Sequence, residues 1–436
     1  MATELSRGAT SAAPAKFMVD LHRSPNGIVA AEDHLLNWIH LLWSPYSVGK
    51  EMDFFASVLT DESFRANCFP IVRNKIFMAH AAVTVLPQAV AEAISNYVRK
   101  SAEEFPDFTD SLRILRETRE SAARLLHAAP EEIALLGPTS LGLSLFANGI
   151  PWEAGDEVVC YIDDYPANVY PWLNLRRRGV TVRYLEPSGL GEITVEVVER
   201  TLSSKTRLVA LASCNFVSGY RIDLSAIGAM LHARGVLFSV DAIQTLGAFP
   251  TTVEHVDFLS ADSHKWLLGP LASGVVYVKK EHFDLCRPTL LGSWNIRAPG
   301  FMAQDQIEFL DTAQRYEPGA MNLPGIVGMK AAIDLLLEAG IDRIAERILH
   351  LRARLIHGLE PAGYHLLGKI EPATGSGIVT FSHPARDLTE VFQRLTQERI
   401  FCSQRQDRPG NQYLRFSPHF YNSDAEIDRV LEIATR

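Results

Sequence analysis

GVLFSVDAIQ (235–244) and VDFLSADSHKWLLGP (256–270) carry the reading from which the fold follows. The first is a short apolar run ending in Asp241. The second is an apolar run whose small polar end leads into Lys265, 24 positions after the aspartate (265 − 241). Both read as buried strands with charge at the carboxyl end, where open α/β sheets collect their ligands. A lysine between such a strand and Trp266-Leu267-Leu268 is partly desolvated, which lowers its pKa and frees the amine for nucleophilic attack. Alone, a lysine is usually a solvated surface charge, and Asp241 would cap a helix starting near Ala242. Together, in this order, they suit a pyridoxal 5′-phosphate (PLP) site. Lys265 forms an imine with the aldehyde, and Asp241 keeps the pyridine nitrogen protonated so that the ring can accept a carbanion's electrons.

Outward from this pair, EVVCYI (157–162), TVRYLE (181–186) and RLVALAS (207–213) repeat the short apolar pattern. Helical patterns at 168–178, 195–203 and 224–233 separate them. Strands alternating with crossover helices predict an α/β fold with a mostly parallel sheet buried on both faces. Upstream, residues 1–30 are rich in Ala, Ser and Pro and predict a mobile tail. Apolar spacing from Glu32 (Leu35, Leu36, Trp38, Ile39, Leu42) predicts an amphipathic helix, then irregular chain to about Leu59. Helices are expected at 86–102 and 110–127. After Pro318-Gly319 the pattern changes to two helices (325–339 and 342–359), the strands GIVTFS (377–382) and YLRFS (413–417), and a last helix from Asp424. The predicted organisation is an N-terminal extension over 1–80, part of it packing on the smaller domain, a large domain over 81–319, and a smaller α+β domain over 320–436.

Of 436 residues, 47% are hydrophobic and 21% charged, enough for an ample core. The net charge of −9 argues against nucleic acid or an anionic membrane as the main partner. Five scattered cysteines without a CxxC pair fit reduced thiols rather than a disulfide framework. The N-terminus lacks the apolar core of a signal peptide, and no apolar run approaches the ~20 residues of a membrane span. A cytoplasmic protein with no membrane or metal site is expected.

Further candidates surround the lysine. In GPTSLGLSLFANGI (137–150), Thr139 and Ser140 open an apolar helix, where free N–H groups and hydroxyls make either a phosphate site or an ordinary N-cap. Tyr165, in YIDDYPANVYPW (161–172), either stacks on the pyridine ring or is a rim tyrosine. Ile243 can pack on one ring face and Gln244 can offer its amide to the ring hydroxyl. His264 adjoins the lysine and is placed to touch phosphate or ring oxygen. Arg415, in YLRFSPHFYNSDAEID (413–428), lies inside an apolar strand, and a buried guanidinium there needs an anion. A substrate α-carboxylate or a structural ion pair would each serve.

The ordered set GPTS, DDYPAN, SCNFVSG, VDAIQ, SADSHKWLLGP, RYEPGAMN and LRFSPHFYN resembles the class V aminotransferase family over roughly residues 70–430. That family includes cysteine desulfurases and isopenicillin-epimerase-like and kynureninase-like enzymes. The resemblance implies the type I fold of PLP enzymes, a seven-stranded, mostly parallel sheet with a smaller α+β C-terminal domain. It implies that Lys265 holds the cofactor and shuttles a proton at the substrate α-carbon. It also implies Asp241 on the pyridine nitrogen, Gln244 on the ring hydroxyl, and Tyr165 stacked on the ring. Thr139, Ser140, Ser263 and His264 would hold the phosphate. Asn215 would lie near the ring hydroxyl or the substrate carboxylate, and Arg415 would clamp that carboxylate. A homodimer with sites at the subunit boundary is implied as well.

Three positions depart from the family pattern. Asp262 stands where a small residue or serine is usual, which brings negative charge close to the expected phosphate. Ala320 replaces a threonine that reaches the partner subunit's phosphate, and Ala272 replaces a glycine. A desulfurase also needs a cysteine on a mobile loop, and SQRQDRPGNQY (403–413) has none. The expected activity is therefore PLP-dependent transamination of an amino acid substrate, with Trp294, Arg405 and His419 as pocket side chains that steer the outcome. The alternatives are epimerisation, β-elimination, or cysteine desulfuration and C–S cleavage on the same fold. A PLP-binding protein without turnover is the alternative from a different class.

Overall fold

The computed structural model describes residues 53–105, 107–368 and 371–436. The tail expected over 1–30 lies outside the described residues. So does the helix expected from Glu32; the end of the irregular chain expected to about Leu59 is corrected, since Phe54–Thr60 is helical behind an Asp53 N-cap.

Seven strands form the large sheet: β1 (Ile133–Leu135), β2 (Glu157–Cys160), β3 (Thr181–Tyr184), β4 (Thr206–Ala212), β5 (Leu237–Asp241), β6 (Phe258–Asp262) and β7 (Gly274–Val278). Their order is β1-β7-β6-β5-β4-β2-β3. The pairs from β3 to β6 are parallel, and β7 runs antiparallel to both β6 and β1. The chain is thus α/β with a mostly parallel seven-stranded sheet, the fold that the apolar runs predict.

Why these runs are almost continuously apolar follows from the pleat. Successive side chains point to opposite faces, and both faces are covered. Val209, Leu211, Phe238, Val240, Leu259 and Ala261 enter one core. Leu208, Ala210, Phe258, Val276 and Val278 enter the other, beside Leu143 and Phe146 of the helix Thr139–Gly149. Gly142 lets that helix approach the sheet. A Cβ there would meet Ser260 Oγ at 2.4 Å and Val276 Cγ2 at 2.8 Å.

The helix expected over 168–178 is corrected. The segment instead forms a 3-10 turn (Pro166–Asn168), one α-turn (Tyr170–Leu173) and a second 3-10 stretch (Asn174–Arg178). Pro171 is accommodated in the first turn of Tyr170–Leu173, and the chain then tightens to 3-10 before Gly179, which turns it at φ 80°.

Beyond the large sheet, Leu323–Ala339 packs on the helices Gln88–Glu103 and Phe108–Leu126. A second sheet joins β8 (His365–Leu366), β9 (Val379–Ser382), β10 (Ser403–Gln406) and β11 (Gln412–Phe416) in the order β10-β11-β9-β8, all antiparallel. Its core holds Leu351, Leu355, Phe381, Leu395, Phe416 and Val430. The segment after residue 52 reaches two cores, with Phe54, Phe55 and Phe69 in the larger one and Met78 in that of the second sheet. Phe55 stacks on Phe420 with ring centroids 5.8 Å apart, and Ile76–Phe77 pairs with Ile400–Phe401. All five cysteines are free thiols. Among the described residues, no helix is long and apolar enough to cross a membrane.

Candidate active site

A cavity of about 500 Å³ opens at the carboxyl end of the large sheet, where β5 and β6 deliver Asp241 and the turn that carries Lys265. Thr139, Ser140, Tyr165, Asp241, Gln244, His264, Lys265 and Arg415 all line it, together with Phe216 and Arg405. Residues spread over more than 270 positions therefore meet at one place (415 − 139 = 276).

Lys265 is buried, and its Nζ lies 5.3 Å from the centroid of the Tyr165 ring. Burial lowers its pKa to about 8. Asp241 opposes that shift by attraction, while the like charges of Arg415 and Arg405 reinforce it. The amine is therefore substantially neutral at mildly alkaline pH, as a nucleophile or proton acceptor requires. Asp241 is raised above the usual carboxylate range by burial, and the Ile243 N–H and Lys265 pull it back. Its Oδ1 accepts from Ile243 N at 3.1 Å, so the turn-capping bond forms beside the cavity-facing role.

The helix Thr139–Gly149 begins after Pro138 with no side-chain cap. Its first N–H groups and the exposed Ser140 are left for an anion. Thr139 Oγ1 accepts from Asp262 N at 2.9 Å, which anchors the helix start to the end of β6. The Asp262 carboxylate is itself engaged. Oδ1 accepts from Ser263 N at 3.0 Å, and Oδ2 meets His264 Nδ1 at 2.7 Å and Ala272 N at 3.1 Å. Both oxygens of the carboxylate expected to trouble the phosphate are thus taken up in hydrogen bonds.

Three expected residues are held differently from what the sequence suggests. Gln244 lines the cavity, but its Nε2 donates to Ala81 O at 3.1 Å and its Oε1 accepts from Trp266 Nε1 at 2.9 Å. One amide N–H remains for the cavity. Asn215 is not among the lining residues: its Nδ2 donates to Asp163 O, and its Oδ1 accepts from Val217 N and Ser218 N, each at 3.0 Å. It shapes the turn that brings Phe216 to the cavity. Ser263 also lies behind the wall, with Oγ donating to Pro270 O at 2.6 Å. Trp294 packs edge-on against Phe108, and His419 bonds the Trp266 carbonyl at 3.1 Å; neither lines the cavity.

Arg415 is fully buried in β11. Its Nη1 donates to the Phe216 carbonyl, and Nε and Nη2 have no partner. Burial first, and then the neighbouring Arg405, disfavour its protonated form. Nε and Nη2 together form one edge of the guanidinium, the fork that takes a carboxylate side-on. Asp164 is a group that sequence reasoning passed over. It is buried, accepts from Ala212 N at 2.9 Å and Asn168 Nδ2 at 3.1 Å, and is pushed up to about 7 by burial, with Asp241 adding to the shift. The Asp163-Asp164 doublet at the end of a strand was the available signal.

These groups fit PLP. An uncapped helix start suits a phosphate, a lysine of lowered pKa suits an aldehyde, and a buried carboxylate suits a ring nitrogen.

Comparison with known proteins agrees. The family model Aminotransferase class-V matches residues 76–430. A probable cysteine desulfurase of Methanothermobacter thermautotrophicus is 28% identical over 388 residues, covering 83% of this chain and 94% of that protein. The uncharacterized aminotransferase YcbU of Bacillus subtilis is 26% identical, covering 84% and 96%. In structure, the cysteine desulfurase of Thermococcus onnurineus NA1 superposes with a TM-score of 0.80 at 24% identity, over 86% of this chain and 97% of that one. The cystine C–S lyase C-DES gives 0.77 at 22%, over 84% and 99%. The chain belongs to the class V aminotransferase family, whose cofactor is pyridoxal 5′-phosphate.

Proposed function

We propose that this protein transfers the amino group of an α-amino acid, with Lys265 as the base at the substrate α-carbon. The observation that carries the reading is that a buried amine of pKa about 8 lines one cavity with Asp241 and with Arg415, whose Nε and Nη2 are unpartnered. Bound PLP supplies an electron sink for the carbanion left at the α-carbon. Lys265 Nζ would take the α-proton and pass it to the cofactor rather than back to the α-carbon, a transfer that its lowered pKa favours. Asp241 holds a proton on the ring nitrogen, and Tyr165 orients the ring. The helix start at Thr139 and Ser140, with His264, grips the phosphate. Arg415 fixes the substrate carboxylate, which orients the α C–H bond.

Cysteine desulfuration is the second reading, favoured by relatives that bear that name. A persulfide route needs a thiol at the substrate, and none of the five cysteines lines the cavity. Cys402, next to the relevant loop, is pushed up to about 12 by burial, so its thiolate is scarce. C–S cleavage without an acceptor cysteine, and epimerisation, remain compatible with the same base. We also propose a homodimer, supported by the exposed Leu271, Leu290, Leu291, Phe301, Met302 and Ile307. We propose a cytoplasmic location as well, supported by five unpaired thiols.

The test is a mass-spectrometric screen of amino acids with a 2-oxo acid acceptor, scoring 2-oxo acid product, new amino acid, racemised substrate and sulfide separately. The reading expects matched oxo acid and amino acid products. Sulfide from cysteine as the main product would overturn it in favour of C–S cleavage.

A further inference from the structure

Arg405 and Arg415 share one wall of the cavity. In the β10–β11 pair, Ser403 lies opposite Arg415 and Arg405 opposite Tyr413. Residues two apart on a strand face the same way, so the two arginines are diagonal neighbours on one face. Both line the cavity, and neither forms an ion pair among the described residues.

Asp407, two positions along the chain from Arg405, and Asp163, which pairs with the nearby Arg408, are already engaged. Asp407 accepts from Gly410 N, Asn411 N, Asn411 Nδ2 and Tyr413 Oη. Asp163 holds Arg408. Arg405 Nη1 donates to the Gln404 carbonyl at 2.9 Å, and its buried Nε has no partner. Two like charges on one wall of a low-dielectric cavity repel unless anions lie against them. The α-carboxylate of an amino acid meets the free edge of Arg415 and leaves Arg405 unanswered. The phosphate grip, in turn, belongs to the large-sheet wall at Thr139, Ser140 and His264.

Resting on the amino acid reading above, we propose that the substrate carries a second, side-chain carboxylate held by Arg405: a dicarboxylic α-amino acid, or the corresponding 2-oxo dicarboxylate as acceptor. Arg405 is then the residue that sets side-chain specificity.

The experiment titrates the PLP-loaded protein with aspartate against asparagine and glutamate against glutamine, following the cofactor absorbance. It is run on wild type, Arg405→Gln and Arg405→Lys. The acid of at least one pair should bind about 10-fold or more tighter than its amide, the scale of one charge-assisted pair. Arg405→Gln should erase that ratio and Arg405→Lys restore part of it. Equal binding of acid and amide in wild type overturns the proposal and needs no variant to fold. A ratio that survives Arg405→Gln, or a variant that only loses cofactor, overturns it too. Neutral amino acids that change the absorbance as readily as acidic ones sink this proposal alone. If no amino acid changes it, the amino acid reading falls as well.

Discussion

Asp262 Oδ2 lies 2.7 Å from Nδ1 of His264, across the single residue Ser263 and one place before Lys265. The same carboxylate takes the N–H groups of Ser263 and Ala272, so it ties both ends of the lysine-bearing turn to the end of β6. Ala272 sits at φ 56°, a left-handed conformation that a non-glycine residue keeps only when such bonds hold it. With Nδ1 engaged, the Nε2 end of His264 is the part of the ring left for the cavity. Asp262→Ala strands the Ala272 N–H and the imidazole, and should cost on the order of 2–4 kcal/mol. Asp262→Asn keeps an acceptor and should cost less. Urea unfolding of the cofactor-free protein checks the order, and equal stability of all three forms would contradict it.

Arg415 presents a trade between stability and function. Its buried charge has no carboxylate partner, so Arg415→Met should leave the cofactor-free protein as stable or make it more so. The same change should raise the KM for an amino acid by about 100-fold, the loss of a bidentate charged pair, while the cofactor absorbance persists. An unchanged KM would show that the carboxylate is held elsewhere.

Asp164 sets a pH dependence. Its folded pKa of about 7 lies above the ordinary 3.8, so the folded state binds the extra proton between those values. Stability from this group is therefore present at low pH and falls as pH rises through that window. Asp164→Asn removes the titration. The stability difference, variant minus wild type, should grow from pH 4 to pH 7 and level off above it. Parallel profiles in thermal or denaturant unfolding would mean that the carboxyl ionises freely in the fold.

Close packing under the phosphate-side helix gives a fourth test. Gly142→Ala drives a Cβ to 2.4 Å from Ser260 Oγ, and overpacking of this kind costs about 1–3 kcal/mol. Ser260→Ala in the same chain should recover part of the loss, since the two sites touch. Purely additive effects in a double-mutant cycle would contradict the contact.

The large sheet was legible because its strands are buried on both faces, so Val158, Leu208, Phe238 and Leu259 spell apolar runs whichever way they point. That Asp241 and Lys265 meet in one cavity at the strand ends was legible for the same reason: charge after such a run has few uses. Segment 168–178 was misread because its apolar spacing is helical, while the chain there closes one α-turn and then a 3-10 stretch. What Gln244, Asn215 and Ser263 bond to was not legible, since Ala81, Asp163 and Pro270 arrive through tertiary folding. Arg405 gave no sequence signal of being unpaired, because Asp407, two positions away, turns inward to hold its own loop.

The most direct measurement of the whole account is to treat the PLP-loaded protein with borohydride, digest it, and map the pyridoxyl label by mass spectrometry. The account predicts the label on the peptide containing Lys265, and a Lys265→Ala protein that takes up none. A label on any other lysine, or a wild-type protein that retains no cofactor after reconstitution, would contradict it.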